Sequence, residues 1–297
     1  MKNTTFNYWE QILLNRKNPD YIKWILSDKY MGKQFAKYLG FKIAKTLQLV
    51  KTAQEINFSN IIKQNNNHFV VKPTDLCDSK GVFLMKNNIN LINNKLTTIN
   101  SIKKELITIQ RTNNNNYYMH ELMFRFKIPF KGFIIEELLL DENGIPPTDF
   151  KCYAFNGRVF LVANTYNRKQ EGDAQTFNSI WMTRKGKPLP FKMIKKNYKY
   201  TPNYKLPNGY ENMINLVENA SKHLRRHCRI DVYLINGEVY FGEFTFFGGA
   251  FLHTKFANTI LGIKWHINPD KIHSKDDKEN DKKLIKIINN KKPSFYN

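Results

Sequence analysis

The stretch RIDVYLINGEVYFGEFT, residues 229–245, decides how this chain is read. Two runs of β-branched and aromatic residues flank Asn236-Gly237, the pattern of a β-hairpin. Strands of this composition are built for burial, yet these carry two carboxylates, Asp231 and Glu243. An ionised carboxylate in an apolar interior is costly unless a cation, a metal or a donor compensates it. With Arg229 and Thr245 on the same strands, the pair reads as a site. Mg²⁺ carrying a nucleotide suits it, because Mg²⁺ takes few protein oxygens and fills its shell with phosphate and water.

Geometry constrains that reading. An unbroken ladder closed by a two-residue type I′ turn sets Asp231 opposite Gly242, and Glu243 then faces the other side of the sheet. One metal could not hold both. The site therefore requires a bulge, either at Gly237 in a three-residue loop or near Gly242. The alternative is purely structural: Asp231 pairs with Arg229 and Glu243 faces solvent.

The chain has 297 residues, 41% hydrophobic and 14% aromatic, enough to bury a core in one or two domains. A formal charge of +22 favours acidic partners without choosing among nucleotide, nucleic acid, anionic lipid and acidic glycan. Abundant Lys, Asn and Ile also fit an AT-rich coding bias. Cys77, Cys152 and Cys228 lie far apart with no CxxC pair, which argues against a disulfide framework or a zinc site. The N-terminus lacks a continuous apolar stretch and no run approaches a membrane span, so the reading is a soluble cytoplasmic protein.

Apolar spacing predicts helices over residues 6–26 and 30–48, the second capped by Asp28. Residues 69–73 and 82–85 read as strands around a polar loop at 74–81. Asn-rich residues 86–130 suggest a small mobile α+β portion. Residues 132–140 form an apolar strand, and 150–156 with 159–163 a hairpin about Asn156-Gly157. Met213, Leu216, Val217, Ala220 and Leu224 recur at helical spacing. After Trp265 the chain alternates charges, with a short frayed helix near 284–288. His223 and His227 have metal-compatible spacing but read as a surface feature of the preceding helix.

Three weaker clusters accompany the hairpin. Lys72-Pro73 followed by Ser79-Lys80-Gly81 has the character of a phosphate-binding loop, or of an exposed strand end. Glu136-Glu137 ends an apolar strand, either as exposed carboxylates or beside a bound base. Asp149 and Lys151 share a strand face, as a functional pair or a surface ion pair.

In this order and spacing the clusters resemble the ATP-grasp superfamily, specifically its TupA-like branch, named for teichuronopeptide synthesis. The resemblance covers most of residues 27–262. It implies an α+β ATP-grasp fold: a nucleotide held between two α+β subdomains with antiparallel sheets, after a short N-terminal helical segment. The implied divisions are a reduced pre-ATP-grasp region at 1–60, a lid with the phosphate loop at 61–138, a C-terminal subdomain with the metal site at 139–265, and a basic tail at 266–297. Lys29 and Lys72 would contact phosphates. Gly81, nine residues beyond Lys72, matches the lysine-to-glycine offset of D-alanine:D-alanine ligases and with Ser79 would form the loop. Cys77 and Asp78 stand where that family uses small residues.

The same resemblance puts Glu136 or Glu137 near the adenine amine, the Leu138 backbone on adenine and Asp149 on ribose. Asp231 and Glu243 become Mg²⁺ ligands with Thr245, which stands where many such ligases carry Asn. The implied reaction forms an acylphosphate from a carboxylate and ATP, and an amine captures it as an amide. Arg229, Lys151 and Arg168 are the candidate catalytic groups. The expected substrates are an amino acid or amine and a carboxylate, such as a uronic acid of a surface polysaccharide. Residues 164–205, basic and aromatic, are the expected acceptor region, and peripheral association with the inner membrane face is a further expectation. Nucleic acid is disfavoured as a partner. The competing readings are a kinase of a glycan hydroxyl and a non-catalytic basic binding module.

Overall fold

Three short helices open the chain where the apolar spacing predicts two longer ones: α1 (Tyr8–Lys17), α2 (Tyr21–Ser27) and α3 (Lys29–Tyr38). The computed structural model describes residues 7–17, 20–76, 79–112, 132–171, 174–196, 199–248 and 250–293, with backbone alone for 167–171, 174–176 and 251. Asp20 starts α2 afresh, its carboxylate accepting from the Lys23 N–H at 3.1 Å. Asp28 caps α3 as expected, accepting from the Met31 N–H at 2.8 Å. The helix expected over 30–48 stops at Tyr38, where Gly40 takes φ +94 and turns the chain away. Residues 46–48, expected to be helical, belong instead to the edge strand β1 (Thr46–Val50).

The first sheet comprises β1, β2 (His68–Pro73), β3 (Phe83–Lys86), β4 (Ile89–Asn90), β5 (Lys95–Leu96) and β6 (Phe133–Glu137), in the order β1-β6-β2-β3-β4-β5 with every pair antiparallel. One face packs Phe69, Val71, Met85 and Ile135 against α4 (Phe58–Gln64) and α5 (Ile99–Thr112) through Phe58, Ile61, Ile102 and Leu106. A regular helix thus occupies part of the segment read as loosely structured; residues 113–130 of that segment lie outside the described residues.

The second sheet contains β7 (Asp149–Phe155), β8 (Arg158–Glu171), β9 (Ala174–Thr183), β10 (Cys228–Ile235) and β11 (Glu238–Thr245), ordered β11-β10-β7-β8-β9 and again antiparallel. Alternation sends Ile230, Val232, Phe150, Cys152, Val162 and Ile180 to one face, into the largest core with α2, α3 and α6 (Tyr210–Leu224). The other face meets α1 and α7 (Lys255–Ile267) through Tyr8, Ile12, Tyr153, Trp181, Leu261 and Trp265.

The charged C-terminal segment forms α8 (Lys275–Asn289), not a short frayed helix. A capping box of Ser274 and Asp277 starts it. Asp281 then holds the buried Arg226 guanidinium through two bonds of 2.9 and 2.6 Å, and Leu284 and Ile288 enter the main core. These tertiary contacts, rather than intrinsic propensity, order the helix.

His223 and His227 do not form a surface pair. α6 ends at Leu224 with Arg225 in the left-handed region (φ 57), so His227 lies beyond the helix and is buried. Its Nδ1–H donates to the Ala154 carbonyl at 2.9 Å, leaving Nε2 to accept from the Tyr8 hydroxyl at 2.7 Å. Burial pulls the His227 pKa down to about 4 and that of His253 down to about 3, the nearby Arg229 charge adding to the second. Below the ordinary histidine value of about 6.5 the unfolded chain takes up these protons and the folded chain does not. Stability is therefore expected to be full above that value and to fall steadily as pH drops toward 4; urea titrations at stepped pH would show a declining midpoint.

Candidate functional site

The hairpin at residues 228–245 resolves the geometric question. Ile235 pairs with Glu238 across a two-residue turn, with Asn236 at φ 51 and Gly237 at φ 79, so the three-residue loop with a bulge at Gly237 is not formed. The bulge lies at Gly242 instead. Val232 pairs with Phe241 and Asp231 with Glu243, which leaves Gly242 unpaired between them. Phe241 and Phe244 thereby both enter the main core, and Glu243 and Thr245 share the opposite face with Asp231 and Arg229. A side chain at 242 would bring its Cβ within 2.8 Å of the Asp231 carbonyl oxygen, backbone that cannot yield locally. Gly242→Ala is expected to lower stability by about 1–3 kcal/mol, the usual cost of overpacking, measured by urea denaturation. Wild-type stability would count against the register.

Around Asp231 the charges form a closed set. The Arg229 guanidinium donates to both Asp231 oxygens at 2.7 and 2.8 Å, and Lys151 donates to Oδ2 at 2.7 Å. Lys151 also holds Asp149 at 2.5 Å, so Asp149 joins this cluster. Arg229 reaches the Thr245 hydroxyl at 3.1 Å and Glu243 at 3.4 Å, and Thr245 donates to Glu243 at 3.1 Å. Burial alone would raise the Asp231 pKa, but Arg229 and Lys151 outweigh it and hold the carboxyl below its ordinary value. The structural alternative is thus half present: Asp231 does pair with Arg229, while Glu243, with a side chain 43% exposed, is partly open to solvent.

The donor set suits a hard divalent cation. Two carboxylates face each other across adjacent strands with a hydroxyl beside them, and their metal-binding atoms are all oxygens. No group of three or more His, Cys, Asp or Glu side chains arranged for a metal occurs among the described residues. An ion here would take most of its shell from phosphate and water. Glu243 and Thr245 would be its more accessible oxygens, since Asp231 is already compensated.

The second cluster lies on the first sheet. Glu136 and Lys72 share a face, and α3 lays Lys33 over them. Glu136, 4% exposed, bonds Lys33 through one oxygen and Lys72 through the other, the latter at 2.7 Å. Burial would raise its pKa, yet Lys72 and Lys33 together bring it down to about 2. Lys33 shares that one carboxylate with Lys72, so burial wins and its pKa falls below the ordinary lysine value. Alternation separates the two adjacent glutamates: Glu137 points to the other face and accepts from the Lys45 N–H at 2.7 Å. It does not join Lys72. Leu138 follows directly, half-buried, at the start of the connection to β7.

Lys29 begins α3 and is tied to the polar loop twice, its N–H to the Thr74 carbonyl at 2.9 Å and its ammonium to the Leu76 carbonyl. In that loop Ser79 and Gly81 both adopt positive φ, 59 and 67. A Cβ at Gly81 would meet Ile109 at 2.8 Å and Pro73 at 2.9 Å, so both conformation and packing call for glycine. α3 connects the two clusters, because Phe35 on the same helix packs against Phe244 of β11 at 6.1 Å between ring centroids.

A family model described as TupA-like ATPgrasp matches residues 10–263. The chain belongs to the TupA-like ATP-grasp family. It has the α+β ATP-grasp fold, and the two antiparallel sheets bridged by α3 are that fold in this family member. No curated protein matches this chain. Solved structures similar to it include a D-alanine–D-alanine ligase from Bacillus anthracis, at 15% identity over 90% of this chain and 67% of that one, with a TM-score of 0.45. The same ligase complexed with ATP aligns over 76% of this chain and 57% of its own length, at 16% identity and a TM-score of 0.40. The VanG D-Ala:D-Ser ligase from Enterococcus faecalis aligns at 14% identity over 89% of this chain and 62% of that one, with a TM-score of 0.45. The family member described here therefore spans less than two thirds of the length of several solved structures it resembles.

Of the residues singled out in the sequence, Arg229, Lys151, Asp149, Asp231, Glu243 and Thr245 meet in one cluster, and Lys72 and Glu136 in another. Arg168 falls within β8, but its side chain lies outside the described residues. Two participants escaped sequence reading. Lys33 sits one helical turn after Lys29, a spacing that could have marked it as sharing that face. Tyr153 stands opposite Arg229 on the neighbouring strand and hydrogen-bonds His253 at 3.1 Å; as one aromatic in a β-rich run it carried no separate signal.

Proposed function

We propose that this chain is an ATP-dependent carboxylate–amine ligase that acts through an acylphosphate. The supporting observation is the shared face: Asp231, Glu243 and Thr245 stand together beside Arg229 and Lys151, on a fold whose family binds ATP. Mg²⁺ would be held by Glu243, Thr245 and Asp231 and, when bound, would neutralise phosphate charge. Lys72 is the more exposed cation of the other cluster, with a side chain 26% exposed against 5% for Lys33. It would turn to the nucleotide phosphates with Lys29 and the loop at Ser79 and Gly81, while Lys33 keeps Glu136 ionised to accept from the adenine amine. The Leu138 backbone would line adenine, and Asp149 would face ribose.

Arg229 is held by both Asp231 oxygens and by the Thr245 hydroxyl, so its guanidinium would present a fixed donor toward the developing charge of phosphoryl transfer and of the tetrahedral intermediate. Lys151 and Arg168 would neutralise phosphate or the acidic substrate. Residues 61–138 are assigned as the lid and 139–265 as the metal-bearing subdomain, with 1–60 as a leading helical segment and 266–297 as a basic C-terminal segment. The carboxylate substrate is assigned as a uronic acid of a surface polysaccharide or its precursor, the second substrate as an amino acid or amine, and the location as the cytoplasm. The charge of +22 supports an acidic substrate. The test is mass spectrometry of products after incubation with Mg-ATP, mixed amino acids and uronic-acid oligomers. ADP with a new amide is the expected result. A stable phosphoester would make the protein a kinase, and absence of nucleotide turnover with every acceptor would remove the enzymatic reading.

A further inference from the structure

α7 is apolar on two sides. Ala257, Leu261 and Trp265 face the core, while Phe256, Ile263 and Ile267 are 47%, 42% and 63% exposed. The exposed positions, with half-buried Ile260 between them, recur at four, three and four residues and so form one stripe along the helix. The patch continues beyond the helix. Leu252 and Phe191 are 47% and 53% exposed, and the Phe191 ring lies 5.4 Å from that of Phe256. Backbone bonds from Lys195 to Leu252 at 2.9 Å and from Thr254 to Met193 at 3.0 Å hold the segment at 191–195 in place. This is a contiguous surface built from ordered elements, not scattered apolar residues.

The chain segments that build the patch carry charge of one sign. Lys192, Lys196 and Lys255 are exposed around the patch, and Lys264 extends over the Phe160 ring at 5.3 Å. From Ala174 to Tyr210, and again from Phe246 to Pro269, the sequence contains no Asp or Glu. A second copy of the chain would set two acid-free lysine surfaces against each other. A soluble acidic glycan would satisfy the lysines and leave the apolar stripe in water. A bilayer with anionic headgroups satisfies both, the stripe entering the acyl boundary and the lysines extending to the headgroups.

We propose that this face docks the protein on an anionic membrane surface, with α7 lying in the interface plane and Phe191, Leu252, Phe256, Ile263 and Ile267 inserted. The contact is peripheral: no helix among the described residues is long and apolar enough to cross a membrane. It also does not depend on the ligase reading, since none of these residues belongs to the nucleotide clusters.

The test is co-sedimentation of the full chain with vesicles of phosphatidylcholine alone or mixed with phosphatidylglycerol. Wild type is expected to pellet with the mixed vesicles and to remain in solution with the neutral ones. Phe256→Ser/Ile263→Ser and Lys192→Glu/Lys255→Glu are each expected to weaken partitioning by about tenfold or more, given the per-residue contributions of inserted apolar groups and interfacial lysines. Unchanged thermal unfolding shows that these exposed changes leave the fold intact. Failure of wild type to pellet with mixed vesicles overturns the proposal. So does undiminished pelleting of the serine variant, which reduces the effect to general charge. A dimer in sedimentation velocity that the serine variant dissociates assigns the stripe to a second copy and overturns it as well. Binding of polygalacturonate that the serine variant weakens equally assigns the face to an acidic glycan, with the same consequence.

Discussion

Asp231→Ala is expected to abolish Mg²⁺-dependent ATP turnover and also to lower the unfolding free energy by about 3–5 kcal/mol, the usual cost of stranding a buried charge. Asp231 is 3% exposed and is the principal counter-charge of Arg229, which is itself largely buried. Removing the carboxylate leaves Arg229 with the Thr245 hydroxyl and a long contact to Glu243. Glu243→Gln should behave differently. That side chain is 43% exposed and makes one close hydrogen bond, from Thr245, so its loss costs little stability while removing the carboxylate proposed as an accessible metal ligand. The measurements are urea denaturation and ADP release at saturating Mg²⁺. If Asp231→Ala unfolds as easily as wild type, the cluster is not the closed set described above; if Glu243→Gln keeps full turnover, the hairpin is not the metal end of the site.

Glu136→Gln is expected to lower stability by about 3 kcal/mol, because Lys33 then lies buried without an anion. Lys72 contributes less to that loss, since it can turn to solvent. Adding Lys33→Met should restore most of the stability, because a volume-matched apolar side chain carries no desolvation cost. ATP affinity should not return with it. If the nucleotide site is as proposed, calorimetric titration shows weak ATP binding in both variants, separating the structural role of the trio from its role in binding. A double variant no more stable than Glu136→Gln would mean that Lys33 is not the source of the cost. The Glu136 contribution is full above its unfolded pKa of about 4.5 and is lost progressively as pH falls from there through about 2, so the comparison belongs near neutral pH.

Most of the strands were legible because period-two alternation and the Asn-Gly turns at 156–157 and 236–237 carry their own register. Helix ends were less so. Residues 39–50 continue an apolar pattern past Tyr38, and only the positive φ at Gly40 and the pairing of β1 with β6 make the difference. The segment after Trp265 looks like a solvated charge run, but Asp281 meets Arg226 from far along the chain. His227 looked like a helix residue because its distance from His223 is helical; the turn at Arg225 breaks that relation.

The sequence alone determined the family, the order of the chemistry-bearing clusters and the requirement for a bulge in residues 229–245, since each depends on residue type and local spacing. It did not determine which bulge formed. Gly237 and Gly242 were both competent locally, and the choice is seen only where Phe241 and Phe244 both enter the main core while Asp231 and Glu243 share the other face. The same is true of Glu136 and Glu137. Adjacent carboxylates are equivalent on paper, and they separate only when the strand has two faces and α3 sets Lys33 over one of them.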